Sequence, residues 1–431
     1  MPKRYIDSDV YTEIIKRLNY VFDNFEKVYL SFSGGKDSGL MLNLTLDVMK
    51  SRGETRKLGI MVLDNEANYI QSLEFMYRMM DNYADMLDIY WCCLPISLPC
   101  TTSSFQNKWI CWDTEKRAAW VRPYPDKPYI IKHEDNRFPF FKEGMWYDAF
   151  WDNFGEWYAD GKSCASLIGI RADESYNRYR TIINDKKVTH GGHPWTVKKA
   201  GELYNCYPLY DWSVEDIWTA NARFEYDYNS LYDIFFLAGL TVHKMRVASP
   251  FMSESKSSLH MYKAIDHDAW ARLCMRVNGA NYIATYNKQL VYHDFKLPEG
   301  HTWESFVRFL LDTLPDEAAD NYRNMIQKSI DYWKKTGRGL EKDIVSVLSA
   351  DPRFAENGNT SHGSKDKIRI KASEVPDNMD HLPNSNSDVI SWKRFAIMIL
   401  KNDHTGKYIG YVSPFDKSDR KKQLIAKYKN I

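Results

Sequence analysis

The sequence predicts an α/β protein, a doubly wound and mostly parallel sheet followed by a helical C-terminal appendage. Three observations predict it. Short runs rich in β-branched and apolar residues at 27–32, 57–64, 85–94 and 165–170 alternate with stretches of helical length, the pattern of βαβ units. The first run passes through paired glycines straight into a helix-length segment. From Ala248 the alternation stops, and 268–277, 303–314 and 318–335 read as helices, the last ended by Gly337.

Composition sets outer limits. A chain of 431 residues can bury one large core or two to three smaller ones. It is 44% hydrophobic and 27% charged, as ordinary globular proteins are, and its formal net charge of +1 argues neither for nor against nucleic acid. Aromatic content is high at 15%, with 14 Trp, which suits ring-rich cores or stacking on bases. Seven cysteines, an odd number without scaffold spacing, read as reduced thiols in a cytoplasmic protein. No apolar signal region opens the sequence and no run approaches a membrane span.

Taken in order, Asp9 caps a first helix with a stripe of Val10, Ile14, Leu18 and Val21. Next come the strand at 27–32 and the turn Ser33-Gly34-Gly35-Lys36-Asp37-Ser38. Strand, Gly-rich turn and helix together make an anion seat. Glycines let backbone approach the anion, and the helix start offers free N–H groups and a positive dipole end. Lys36 adds a mobile charge, and Ser33 and Ser38 add hydroxyls. The paired glycines directly precede the lysine, so this is not the G-x-x-x-x-G-K-S/T loop of kinases and GTPases. Residues 40–48 alternate over their second half as a strand would. Loop chemistry and the helix-forming Leu and Met residues decide for a helix.

The second strand ends in Asp64, at the rim where open parallel sheets bind ligands. That places Asp64 either in contact with a nucleotide or its metal, or as a cap on the next helix. A third strand holds Cys92 and Cys93, and 95–114 looks irregular. The spacing C-C-x6-C-x10-C from Cys92 to Cys111 lacks a C-x-x-C pair, so buried thiols are expected rather than a metal. An aromatic insertion near 115–160 precedes the fourth strand, which runs into Gly169-Ile170-Arg171-Ala172-Asp173-Glu174-Ser175. Arg171, Arg178 and Arg180 are close enough in sequence to converge on one anion. In Tyr207-Pro208-Leu209-Tyr210-Asp211-Trp212-Ser213, Ser213 caps a helix. His190 and His193 read as an exposed loop. Residues 356–386 read as polar loop or linker, 391–401 as a docking helix and 417–429 as a basic tail that is solvated or meets phosphate. The expected domains are 1–245, nucleotide-binding; 246–340, helical; and 341–431, linker, docking helix and tail.

The S-G-G-K-D-S turn resembles the loop of the PP-loop, adenine nucleotide alpha-hydrolase-like superfamily. With G-I-R-A-D-E-S at 169–175 and Y-P-L-Y-D-W-S-V-E-D-I-W at 207–218, residues 25–245 resemble the phosphoadenosine phosphosulfate reductase family. Met245-Arg246-Val247, Trp270-Ala271-Arg272, Arg276-Val277-Asn278-Gly279 and Ser391-Trp392-Lys393-Arg394 resemble a longer subgroup that includes immunoglobulin-binding regulator A. The resemblance implies a PP-loop/HUP-like fold and ATP or a related adenosine nucleotide as ligand. It also implies a ParB-like protein partner, with nucleic acid reached indirectly. No E-C-G-L/I-H motif is present, so thioredoxin-linked sulfonucleotide reduction is not expected.

On this reading Lys36, Asp37 and Arg171 carry catalysis, while Ser33, Gly34, Gly35, Lys36, Ser38, Asp64, Gly169, Arg171 and Arg178 hold the nucleotide. Gly34, Gly35 and Lys36 cradle a leaving pyrophosphate, and Asp37 orients the loop or a Mg²⁺ water. Mg²⁺ is implied by nucleotide chemistry and by no ligand cluster. The acceptor at the α-phosphate is water, sulfur or a nucleic-acid group; sulfur transfer needs a persulfide carrier, for which Cys111 and Cys164 are the candidates. The other class of function is a nucleotide-sensing regulatory subunit without turnover.

Overall fold

The computed structural model describes residues 5–184, 187–252, 255, 259–280, 297–359, 367–382 and 389–410. The chain divides into two compact units. One comprises 1–98, 110–250 and 258–273; the other comprises 99–109, 251–257 and 274–431.

In the first unit the apolar runs become strands β1 (Lys27–Ser31), β2 (Leu58–Leu63), β3 (Leu87–Cys93), β4 (Ile130–Lys132), β5 (Cys164–Leu167), β6 (Thr196–Ala200) and β7 (Leu203–Cys206). They form one seven-stranded sheet in the order β4-β3-β2-β1-β5-β7-β6. Every pairing is parallel except that of β6 with β7. The mostly parallel, doubly wound sheet is therefore as the sequence predicts. Strand β1 is central: Leu30 is level with Ile60 on one side and Leu167 on the other, and all three are fully buried. The chain turns one way from β1 to reach β2 and the other to reach β5. That makes the carboxyl ends of β1 and β5 the switch point where such sheets bind ligands.

Helix α1 (Val10–Asn24) is capped as expected, Asp9 accepting from the Thr12 amide at 2.6 Å, with Ile14, Leu18 and Val21 buried. Helix α2 (Lys36–Arg52) settles the ambiguity at 40–48. It is buried almost all round from Ser38 to Met49, which is why its sequence shows no amphipathic stripe. Each fully buried Leu or Met there contributes roughly 1.5–3 kcal/mol. Helices α3 (Ile70–Asn82), α4 (Tyr147–Ala159), α5 (Tyr176–Ile183), α6 (Val214–Arg223), α7 (Leu231–Leu237), α8 (Leu259–Ile265) and α9 (His267–Arg276) follow. Ser213 and Asp216 close a reciprocal capping box on α6.

The second unit holds α10 (Trp303–Asp312), α11 (Asp316–Lys335), α12 (Lys342–Leu348) and α13 (Trp392–Leu400), around a core that includes Val307, Tyr322, Leu348, Phe395 and Met398. Its helical character is as expected. The reading of 356–386 as loop is corrected: β9 (Phe354–Asn359) and β10 (Ile368–Ala372) pair there and, with β8 (Arg338–Leu340), make an antiparallel sheet in the order β8-β10-β9. Within β10, Ile370 and Ala372 face inward and alternate with the charged Arg369 and Lys371. The expected basic tail at 417–429 lies outside the described residues. No described helix is long and apolar enough to cross a membrane.

Candidate active site

The loop between β1 and α2 is built by its glycines. Gly34 has φ +69°, a left-handed conformation that disfavours any side chain, and a β-carbon there would fall 2.9 Å from the Met76 side chain. Gly35 is different. Its φ of −81° suits any residue, yet it caps α2 without a side-chain bond of its own. A β-carbon at Gly35 would meet only the Ser33 hydroxyl at 3.4 Å and the Tyr232 hydroxyl at 3.5 Å. Gly35 thus faces a small space lined by two hydroxyls.

Among the described residues, no acceptor meets the amide of Gly34 or of Gly35. The Lys36 amide, expected to join them, instead donates to the Tyr232 hydroxyl at 2.9 Å, and that expectation is corrected. The Ser33 amide donates to Ser38 Oγ at 3.3 Å, and Ser38 Oγ donates to the Gly35 carbonyl at 3.1 Å. Ser33 and Ser38 therefore shape the loop as well as presenting hydroxyls.

Arg171 reaches the loop from the end of β5. It is buried, donates through Nε to Asp37 and through Nη1 to Asp173 at 2.6 Å. Burial works against its charge, but the Asp37 and Asp173 carboxylates outweigh that and hold the guanidinium firmly protonated. Lys36 Nζ, also buried, lies 3.2 Å from Asp37. Asp37 is consequently flanked by two cations. Gly169 lets β5 approach this turn: a β-carbon on it would lie 3.1 Å from the Asp37 backbone and the Ser38 amide.

Two expected nucleotide contacts are engaged in ion pairs within the protein. Arg178 pairs with Glu174 on its own segment, and Arg246 approaches the same carboxylate at 3.9 Å. Asp64 is wholly buried, and its carboxylate accepts from Arg122 Nη2 at 2.6 Å, Trp91 Nε1 at 2.7 Å and the Glu66 amide at 2.8 Å. Its carboxylate is thus held in an internal ion pair with the aromatic insertion. The Y-P-L-Y-D-W segment is likewise structural: Asp211 takes a two-pronged bond from Arg17 on α1 at 2.6 and 2.7 Å. His190 and His193 pack on Tyr20, whose hydroxyl meets His190 Nδ1 at 2.7 Å, so both rings are half-buried while Val188, Gly191 and Gly192 around them are exposed, as expected of that loop. Residues overlooked in the sequence are Tyr232 and Asn229. Asn229, buried, donates to the Gly34 carbonyl and to Ser72 Oγ, both at 2.9 Å, tying α7 to the loop.

Mg²⁺ finds no ready ligand set. No group of three His, Cys, Asp or Glu stands together among the described residues, and the two carboxylates nearest the loop already face cations. The cysteines fit buried thiols. Cys92, Cys93, Cys100, Cys111, Cys164 and Cys206 are buried, and Cys274 is partly exposed. Burial pushes the Cys164 thiol up to about 12 and raises those of Cys92, Cys93 and Cys206 as well. Cys111 and Cys164 are thus poor persulfide carriers. Native-state alkylation at pH 8 should modify Cys274 first and leave Cys164 at least tenfold slower by peptide mass spectrometry. Because the folded Cys164 holds its proton more tightly than the unfolded chain does, stability from this group is lost as pH rises from about 8.5 toward 12.

Comparison with known proteins adds the following. Residues 139–237 match the phosphoadenosine phosphosulfate reductase domain, and residues 239–422 match a domain of unknown function, DUF3440. The chain is 33% identical over 396 residues to Uncharacterized protein YbdN of Escherichia coli (strain K12), covering 90% of this chain and 87% of that one. Among solved structures it is similar to phosphoadenylyl-sulfate reductase from Candida auris in a phosphate complex, at 13% identity and a TM-score of 0.29 over 54% of this chain and 94% of that one. It is similar also to the U34-tRNA thiolase NcsA from Methanococcus maripaludis, at 13% identity and a TM-score of 0.30 over 67% and 81% of the two chains. Structural likeness of that degree has no bearing on activity.

Proposed function

Because the chain belongs to the family of the Escherichia coli protein YbdN and carries a phosphoadenosine phosphosulfate reductase domain, we propose that its first unit binds ATP or a related adenosine nucleotide and acts at the α-phosphate. The observation that carries this reading is the start of α2, where a β-carbon on Gly35 would meet two hydroxyls and where, among the described residues, no acceptor meets the Gly34 or Gly35 amide. Polar and at the positive end of a helix, this place has the chemistry of a phosphate oxygen's seat. The two amides hold the pyrophosphate end, and Lys36 offsets the charge that gathers there as the bond between the α-phosphorus and the bridging oxygen breaks. Pyrophosphate leaves with the electron pair, and the acceptor's oxygen or sulfur takes its place on phosphorus. Arg171, through Asp37, fixes the loop in position. A sulfur acceptor would arrive on another molecule, since six of the seven cysteines are buried.

A second reading has its own support. Asp37, Asp173 and Glu174 are all ion-paired, which leaves the loop without an unengaged carboxylate to serve as base. A nucleotide sensor needs none, and its output would pass to a ParB-like DNA-binding partner. One experiment separates the two: incubation of the full chain with α-labelled ATP, with and without DNA and partner. The enzyme releases labelled AMP or adenylylated acceptor together with pyrophosphate, and Lys36→Ala lowers the rate at least tenfold. Tight binding with no product under any condition selects the sensor, and no binding at all ends both readings.

A further inference from the structure

We propose that Tyr232 is a phosphate-binding residue of this loop, its hydroxyl donating a hydrogen bond to an oxygen of a bound pyrophosphate group; the inference rests on the nucleotide reading above. A tyrosine hydroxyl can accept and donate at once. Here it accepts from the Lys36 amide at 2.9 Å, which leaves its own proton to be given away. It stands beside Gly35, 3.5 Å from where a β-carbon would be, a point that is also 3.4 Å from the Ser33 hydroxyl. The Lys36 amide therefore reaches the seat through the hydroxyl, which continues the row begun by Gly34 and Gly35.

Two further observations favour a donor over a plug that the ligand must push out. Asn229 anchors the entry to α7, bonding Gly34 and Ser72, and its own Oδ1 accepts from the Leu231 amide at 3.0 Å. The tyrosine ring is buried, with Trp218 at 5.2 Å and Phe235 at 6.4 Å between ring centres, so it is held from several sides. Burial first, and the neighbouring Asp37 carboxylate second, push its hydroxyl well above the ordinary tyrosine range. The proton is therefore in place at neutral pH. Lys36 Nζ lies over the same ring, 5.6 Å from its centre.

The test is isothermal titration of the full chain with sodium pyrophosphate and with ATP, comparing wild type, Tyr232→Phe and Tyr228→Phe. Phenylalanine keeps the ring between Trp218 and Phe235, and the melting curve checks that it does. Tyr228, whose hydroxyl bonds Asp233 at 3.0 Å, is the control for losing a phenol elsewhere on the same segment. Loss of one hydrogen bond to a charged oxygen should weaken both ligands about tenfold or more in Tyr232→Phe, with Tyr228→Phe unchanged. Equal affinity in Tyr232→Phe overturns the proposal, and so does tighter binding, which would mean that the hydroxyl blocks the Lys36 amide. If wild type binds neither ligand, the nucleotide reading itself fails and this inference with it.

Discussion

Gly35→Ala is expected to fold as the parent does and to bind ATP about a hundredfold more weakly, the scale of losing well-aimed donors at an anion seat. The two halves of that expectation have separate causes. Folding is spared because φ at this position is −81° and the added methyl would meet its neighbours at 3.4 and 3.5 Å, ordinary contact distances. Binding is not spared because the methyl enters the space between Ser33 and Tyr232. Gly34→Ala is the contrast. Its left-handed backbone and the 2.9 Å approach to Met76 should lower stability by about 1–2 kcal/mol before any ligand is added. Thermal melting and ATP titration on both variants give the check. A Gly35→Ala protein that melts normally and binds at full strength would remove the seat from its place here.

Arg122→Met is expected to destabilise the first unit by about 3–5 kcal/mol, because it strands the Asp64 carboxylate in the interior. Asp64 has no exposure, and with the guanidinium gone it keeps the neutral donors Trp91 and the Glu66 amide but no cation among these partners. In a unit of this size such a loss lowers the melting temperature by roughly 6–20 °C. Adding Asp64→Asn should recover most of it, since the cost lies in the unpaired charge rather than in the missing bond. The melt is best followed by near-ultraviolet circular dichroism, to which Trp91, Trp112 and Trp120 of this region contribute. Arg122 also lies over the Trp112 ring at 4.9 Å, and Trp112 Nε1 donates to the Asp64 carbonyl at 2.9 Å. The insertion is thereby fastened to the end of β2. An unchanged melting curve for Arg122→Met would show that the ion pair is stability-neutral.

The sheet and loop were legible because their signals are local. The strand before Ser33, the paired glycines and the helix after Lys36 occupy neighbouring positions, and the capping of α1 and α6 is written within four residues. Asp64 misled for the opposite reason. A carboxylate at a strand's end is a fair ligand candidate until its partner is known, and that partner stands 58 positions away in the insertion. Tyr232 and the Lys36 amide are 196 apart, and no periodicity links them. Strands β9 and β10 escaped notice because a small sheet with one face in solvent tolerates charge at alternate positions, as in Ile368-Arg369-Ile370-Lys371-Ala372. Arg178 went to Glu174, a choice made by helix spacing once Ser175 had capped α5.

The route of the chain through its two units has a consequence for anyone who would dissect it. Residues 99–109 leave the ribosome between β3 and β4, yet their partners arrive at the far end of translation: Ser104 bonds Asn402, and His404 meets the Ser103 carbonyl. A fragment stopped at residue 245 would carry that short segment as an orphan, with Trp109 bereft of Phe251 and Arg276. Scissors applied where the sequence motifs end would cut one body and leave a piece of the other attached to it.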